Sequence, residues 1–585
     1  MSTGGADVLA MLATVIVTIT LAAYSTRRAR TTSDFYVAAR AVQPWWNASA
    51  ISGEYLSAAS FLGVAGLVML GGADALWFPV GYAVGYVLLL ALVAAPLRRS
   101  GAYTVPDFAE VRFSSTKVRL AASILVVLIG WLYLVPQLQG AGLALGILVG
   151  TPMWVGGAVV AVTVLMVLVS GGMRSVTVVQ GFQYWLKLFA IAVPVLFLIG
   201  VWRSDGAPGA AANARPEFPS ATTVTISSDV TLEFPSSSVV TAEGKVDGSP
   251  ASGTLTLAAG SHQIAAGTRL RFPAGAQVPH PQGVPALSGE QWAYPQNGGR
   301  DHPLYRDVAL MLALFLGTMG LPHILVRFYT NPDGRSARRT AVGVIALVGL
   351  FYLSPTVYGA LGRLYAPELI VTGQTDAAVL ILPRAMISGQ PGLLLGALVA
   401  AGAAAAFLAT ATGLAVAVAG VLSQDIVRRR VTNPVRSFRL ASIAAIAVPL
   451  LLGLWMTKLP LASAVSLAFA VAATTFAPLL VLGIWWRRFT DVGAIAALIC
   501  GGVLSLGAIA MSTLGHPSGG WANALLSQPT AWVLPLVVLT AVGVSLATSR
   551  RVRPDVWRAM VRLHTPEALA LQRHLGSGRR DDRTR

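Results

Sequence analysis

Long apolar runs, separated by short polar or charged stretches, set the pattern of this chain. Crossing ~30 Å of hydrocarbon as a helix takes about twenty apolar residues. About thirteen runs qualify, at approximately 7–25, 45–70, 77–96, 119–148, 153–170, 183–202, 307–328, 340–360, 390–421, 440–457, 461–484, 492–513 and 531–548. The first has no basic residue before it and a basic cluster after it, so it reads as a retained helix and not a cleaved signal. One hydrophilic stretch, residues 203–304, breaks the pattern. Within it Val224, Ile226, Val230, Leu232 and Phe234 share one parity, the mark of a half-buried strand. Thr254-Leu255-Thr256-Leu257 repeats the style. Ile226, Leu232, Phe234, Pro235 and Val240 return 38 residues later as Ile264, Leu270, Phe272, Pro273 and Val278. The pattern predicts a small β-rich module of two similar units, followed by a Pro/Gly-rich linker from Pro279 to Arg300. The resulting organisation is helices 1–6 in 1–202, the insertion in 203–304, helices 7–13 in 305–548 and a basic tail in 549–585.

Composition narrows this to an all-α polytopic membrane protein. Of 585 residues, 55% are hydrophobic and 11% charged, less than half the ~25% charged of soluble domains. That excludes a disordered chain, which needs high charge and low hydrophobicity. The lone Cys500 excludes an intrachain disulfide and a cysteine metal cluster. The net charge of +18 would ordinarily point to nucleic acid, but its placement says otherwise. Arg27, Arg28, Arg30 and Arg40 follow the first run, and Arg98, Arg99, Arg112, Lys117 and Arg119 the third. Arg174 follows the fifth, Arg327, Arg335, Arg338 and Arg339 the seventh, and Arg428–Arg430, Arg436 and Arg439 the ninth. Arg487 and Arg488 follow the eleventh, and Arg550, Arg551, Arg553, Arg558 and Arg562 the thirteenth. Among the short even-numbered loops only Arg363, Arg384 and Lys458 interrupt the rule. Short cytoplasmic loops collect Lys and Arg, so the N-terminus is expected outside, the C-terminus inside, and the module outside a bacterial cytoplasmic membrane. The partner implied is the lipid bilayer, with the tail near anionic headgroups. No nucleic acid and no obligatory protein partner is called for.

Ionisable groups inside spans are costly and functional by default. Glu54 is the sharpest, in Ser52-Gly53-Glu54-Tyr55-Leu56-Ser57 amid the second run. The seventh run holds Gly317-Thr318-Met319-Gly320-Leu321-Pro322-His323, where two glycines and a proline break or kink a helix. Broken backbone frees N–H and C=O groups that water or ligand must satisfy. Breaks in corresponding helices of two halves point to a midplane site between inverted repeats. His323 and Arg327 stand near the cytoplasmic end of that run, as gating or structural residues. In the ninth run, Thr410 can offer a hydroxyl to a hard cation, or the small residues about it can simply permit tight packing. No Walker A, Gly-x-Ser-x-Gly, dinucleotide or His-Glu-x-x-His motif is present, so no enzyme and no resident cofactor is expected.

At these residues the chain resembles the sodium/solute symporters, and most the cation/acetate (monocarboxylate) branch. The matching stretches are Ser33–Ala38, Trp45-Trp46-Asn47, Tyr55–Gly63, Gly171–Thr177, Gly317–Phe328 and Ser423-Gln424-Asp425. The resemblance implies the leucine-transporter fold, two inverted five-helix repeats in helices 2–6 and 7–11, working by alternating access. It implies a Na⁺ site between helices two and nine, at Ser52, Tyr55, Ala406, Ala409 and Thr410, with Glu54 as the coupling carboxylate. It implies a small carboxylate substrate such as acetate near Gly53, Ser57, Gln137, Gly317, Thr318 and Gly320, with Pro322, His323 and Arg327 gating. Pyruvate, propionate or an amino acid is the alternative cargo. A transporter-like sensor is the remaining alternative, against which the tail from Ser549 is too short for a signalling domain. Two departures sit at the implied ion site: Ala409 lacks a hydroxyl, and Glu54 stands where the family usually has Asp. Either Glu54 reaches further and replaces the lost oxygen, or Na⁺ is no longer preferred and Glu54 carries a proton.

Overall fold

The computed structural model describes residues 5–26, 42–209, 215–226, 229–284, 286–296, 301–427, 431, 433–455, 460–515 and 519–567. Arg27–Arg30, Arg40, the Ser33–Ala38 motif, Arg300, Arg428–Arg430, Lys458 and the tail beyond 567 lie outside the described residues. Of Gly171–Arg174 only the helical backbone is described.

The apolar runs fold into helices, which satisfy every backbone group within one segment. They are α1 (Gly5–Thr26), α2 (Pro44–Tyr55), α3 (Val64–Gly71), α4 (Trp77–Leu92), α5 (Thr116–Val149) and α6 (Met153–Ser204) before the insertion. After it come α7 (Pro303–Gly320), α8 (Pro322–Phe328), α9 (Gly334–Tyr365), α10 (Gly389–Asp425), α11 (Pro434–Trp455), α12 (Leu461–Trp485), α13 (Asp491–Gly515) and α14 (Thr530–Ala547). Side chains stop orphan N–H groups at several starts: Ser115 accepts from Val118 ahead of α5, and Asp333 from Ser336 ahead of α9. Among the described residues ten helical stretches are long and apolar enough to cross a membrane, eleven if the bent pair α7–α8 is one span. Thirteen runs were expected. The run at 153–170 is a shorter apolar stretch of 17 residues, Met153–Val169. The run at 45–70 is cut in two, and its second part joins the third run in one stretch, Ala59–Leu92.

Burial separates the centre from the periphery. In α10 and α12, 78% and 83% of the apolar window is buried, against 28% in α1 and in α14. The small residues of α10 permit this: Ala403, Ala405, Ala406 and Ala409 are fully or almost fully enclosed, and its ridge packs against α6, α5 and α1.

Two of the spans are broken. In α2 the helical ladder ends with the Leu56 N–H on the Ser52 carbonyl and resumes with the Phe61 N–H on Ser57. A π-helical turn at Ala59–Gly63 then leads into α3. Between α7 and α8, Leu321 is extended (φ −67°, ψ 117°) and the axis bends by 44°. Pro322 explains this second break, since it lacks an N–H and disfavours helical geometry in the residue before it.

The insertion is a seven-stranded antiparallel sheet: β1 (Thr222–Thr225), β2 (Val230–Phe234), β3 (Ser238–Val246), β4 (Ser249–Leu257), β5 (Gly260–Ile264), β6 (Arg269–Phe272) and β7 (His280–Pro281). Its order is β1-β6-β3-β5-β2-β7, with β4 paired to β3. The residues of the 38-residue echo are its core: Ile226, Leu232, Phe234, Val240, Ile264, Leu270, Phe272 and Val278 are all buried. The two units interlock. Val224 faces Leu270 in one half, and its counterpart His262 faces Leu232 in the other, each shifted by 38. The expected linker after Pro279 is more structured than its composition implied. His280–Pro281 pairs with β2, and Ser288 caps a short helix at Gly289–Ala293. That helix docks on the membrane domain. The Trp292 indole donates to the Val68 carbonyl at 2.8 Å, Arg363 lies 5.5 Å over the indole, and the Gln296 N–H reaches Asp74 at 2.7 Å.

Candidate functional site

The break in α2 exposes carbonyls that the helix cannot satisfy, and three other helices supply the partners. The Thr410 hydroxyl of α10 donates to the Glu54 carbonyl at 2.6 Å. The Lys187 amine of α6 donates to the carbonyls of Gly53 and Leu56, the latter at 2.7 Å. On the far side of the break Gln137 of α5 accepts the Ala58 N–H at 2.9 Å. Lys187 is fully buried. Gly53 lets the helices come this close, because a Cβ there would stand 2.2 Å from the Gln180 carbonyl.

The Glu54 side chain points the other way. Its carboxylate takes a hydrogen bond of 2.6 Å from Arg327 Nε, with both side chains 1% exposed. Arg327 also donates to Thr177 at 2.8 Å and to Gln180, both on α6. Gln180 in turn donates to the Ala409 carbonyl at 2.8 Å, and Asn47 donates to the Arg327 carbonyl. Arg327 thus ties α8 to α2 and α6. Gly413 makes room for the carboxylate, since a Cβ there would lie 2.0 Å from Glu54 Oε1.

Beside the two breaks lies a cluster of packed aromatic rings. Tyr55 meets Tyr86 edge-on at 4.9 Å between ring centres and Tyr82 at 5.9 Å, and Tyr82 stacks on Tyr352 at 5.7 Å. Phe469 closes one wall, 5.1 Å from Tyr82, and Tyr133 packs against His323 at 5.3 Å. The Tyr55 hydroxyl and Thr318 share a hydrogen bond of 2.7 Å, and Ser60 pairs with Tyr352 at 2.8 Å. The hydroxyls of Tyr82 and Tyr86 and both ring nitrogens of His323 are buried without a partner among the described residues. Buried polar groups ordinarily find partners, so this cluster holds spare hydrogen-bonding capacity. A separate groove of about 360 Å³, lined by Leu138, Met153, Trp154, Leu450 and Leu454, is apolar and away from these groups.

The residues singled out in the sequence therefore converge on one region, with particular contacts. Ser52 and Ser57 flank the break, fully and almost fully buried. The Ser52 carbonyl is taken by Leu56 N–H, and the carbonyls met by a cationic side chain are those of Gly53 and Leu56, one position along from Ser52 and Tyr55. Gln137 holds the restarted helix. Gly317 and Gly320 serve close packing, because a Cβ at either would fall 2.6 or 2.7 Å from the Phe469 or Ala472 carbonyl of α12. Ala406 and Ala409 are fully buried in α10, and Pro322 opens α8. Lys187 and Gln180 were not among the expected residues. Lys187 was legible as a charge inside the apolar run 183–202, which is a functional signal by itself. Among the described residues no group of three His, Cys, Asp or Glu is arranged to hold a metal.

Comparison with known proteins places the chain among membrane symporters. The profile of the Sodium:solute symporter family matches residues 35–229 and 289–501. An uncharacterized symporter, YwcA of Bacillus subtilis (strain 168), is 30% identical over 572 residues, covering 95% of this chain and 98% of that protein. A monocarboxylic acid transporter of Corynebacterium glutamicum is 29% identical over 548 residues, covering 90% and 88%. In fold, the chain is similar to a Na⁺-coupled sialic acid symporter in a substrate-bound outward-open state, with TM-score 0.62 at 13% identity over 93% of this chain and 98% of that one.

Proposed function

The chain belongs to the Sodium:solute symporter family, and from that premise we propose that it takes up a short-chain monocarboxylate such as acetate, driven by an inward gradient of Na⁺ or H⁺. It is a multi-pass secondary active symporter of small solutes and not an enzyme. The observation that carries the choice of cargo is the set of buried hydrogen-bonding groups beside the two breaks that have no partner among the described residues. The unpartnered hydroxyls of Tyr82 and Tyr86 and the nitrogens of His323 offer a small carboxylate its hydrogen bonds. The relative that bears a monocarboxylic acid transporter name supports the same class.

In this reading thirteen spans include two inverted five-helix repeats, with one helix before them and two after, and with α2–α3 and α7–α8 as the corresponding broken helices. Ser52, Tyr55, Ala406, Ala409 and Thr410 surround the coupling-ion region. Glu54 and Arg327 form the latch between the broken helices, with Pro322 and His323 at the hinge. The arginine placement puts the N-terminus and the β module outside and the C-terminus inside. The test is uptake of labelled acetate into proteoliposomes with Na⁺ and pH gradients imposed independently. Accumulation that requires at least one gradient, and that propionate or pyruvate competes, is the expected result. Equal accumulation with no gradient refutes symport, and competition only by a neutral or cationic solute refutes the anionic cargo.

A further inference from the structure

Of the five sodium ligands implied by the family, three are missing or already engaged here, those at Ser52, Ala409 and Thr410. A hard cation needs several free oxygen ligands, and transporters of this kind draw them from unwound backbone. The Gly53 and Leu56 carbonyls, three residues apart at the open end of α2, both receive the Lys187 amine. The Ser52 carbonyl is bonded to Leu56 N–H. On α10, Ala409 has no hydroxyl and its carbonyl is taken by Gln180. The Thr410 hydroxyl already donates to the Glu54 carbonyl. Glu54 does not replace the missing oxygen, because its carboxylate is bonded to Arg327.

We propose that Lys187 is the built-in stand-in for the ion at this site: its amine takes the place of sodium at the open end of α2, and the transport cycle needs no Na⁺ there. This rests on the reading of the chain as a cation-coupled symporter, and it leaves the proton gradient as the driving force. The physical grounds are three. Lys offers three donors and no acceptor, which matches a cluster of carbonyls. The C-terminal end of a helix carries partial negative charge, and the amine stands at the end of α2. A lysine buried as deeply as this one has to be balanced by such contacts to be tolerated. Sequence and structure change together: the hydroxyl that would complete a sodium shell is lost at Ala409, and a tethered amine stands at the adjacent carbonyls.

The test uses the purified full-length protein and reads melting temperature in NaCl against choline chloride, with no substrate present. The wild type is expected to show no Na⁺-dependent shift. Lys187→Ala combined with Ala409→Ser frees the carbonyls and restores a hydroxyl, and is expected to gain a saturable Na⁺-dependent rise. Lys187→Arg keeps a tethered cation and is expected to stay unresponsive. In proteoliposomes, wild-type acetate uptake should be unchanged when Na⁺ is replaced by choline, and lost when the pH gradient is collapsed. A saturable Na⁺-dependent stabilisation of the wild type that Thr410→Val removes overturns the proposal, whatever the lysine variants do. Because the melting measurement needs no cargo, a failure of acetate to be carried at all would count against the proposed function and leave the sodium result standing.

Discussion

Removing one partner of the Glu54–Arg327 pair should cost far more than removing both. The two side chains are each 1% exposed and 2.6 Å apart, so neither can turn to water when its partner is lost. Breaking a buried pair from one side costs about 3–5 kcal/mol, because an uncompensated charge stays inside, whereas replacing the whole pair is often nearly neutral. Arg327→Met should be the worse single change, since Glu54, Thr177 and Gln180 all lose their donor. Glu54→Gln keeps an acceptor but leaves the Arg327 guanidinium without a countercharge. The double variant Glu54→Gln/Arg327→Met removes one charge of each sign and should recover much of the loss. The assay is a double-mutant cycle on melting temperature of the purified protein in detergent. Each kcal/mol moves the melting point of a 150–250-residue domain by roughly 2–4 °C, and a longer chain by less. A drop on the order of 5 °C for Arg327→Met is therefore expected. If both single variants melt with the wild type, or if the double variant melts below Arg327→Met, the pair is not the latch described.

Three further outcomes follow from other contacts. Gly53→Ala forces a Cβ to 2.2 Å from the Gln180 carbonyl, so acetate uptake should be lost while Gly349→Ala, where the added Cβ meets nothing within 4 Å, leaves it intact. Asp376, in the turn Thr375–Ala377 outside the spans, has its carboxyl pushed up to about 6 by burial, with the Leu461 N–H opposing the rise. A folded-state value above the ordinary one means the fold holds the extra proton, so stability should fall as pH rises from about 4 to 6 and level off above. Asp376→Asn should flatten that part of a melting-temperature profile. Trp292→Phe removes the indole donor to Val68 and should cost about 1 kcal/mol, read as earlier proteolytic release of the β module with the membrane domain still folded.

The helices were legible because twenty apolar residues in a row leave few alternatives. The second break was legible as well, since Pro322 and two glycines announce it locally. The break after Tyr55 carries no proline, and its signal was weaker: Gly53 and the serines about it read only as permissive. Glu54 stood out as a lone carboxylate in an apolar run. Its partner did not, because Arg327 lies 273 positions away and reads equally well as one of the basic residues that follow a span. Lys187 shows the same limit: the charge is visible in the run, but the carbonyls it meets are more than 130 positions earlier. Strand parity identified the buried face of the module. It could not reveal that the two units exchange partners, since pairing register is set by contacts across the sheet and not along the strand.

That exchange has a consequence for how the insertion can be divided. The first strand of each unit hydrogen-bonds to the second strand of the other, so neither 38-residue unit contains its own closing contact. A cut between the units leaves two pieces with complementary open edges, while a cut at the ends of the module leaves one closed sheet. A single unit expressed alone has one way to complete its pairing, which is to find a second copy of itself. The smallest self-sufficient piece of this insertion is therefore the pair, and grafting, deletion or exchange of the β module will work only when both units travel together.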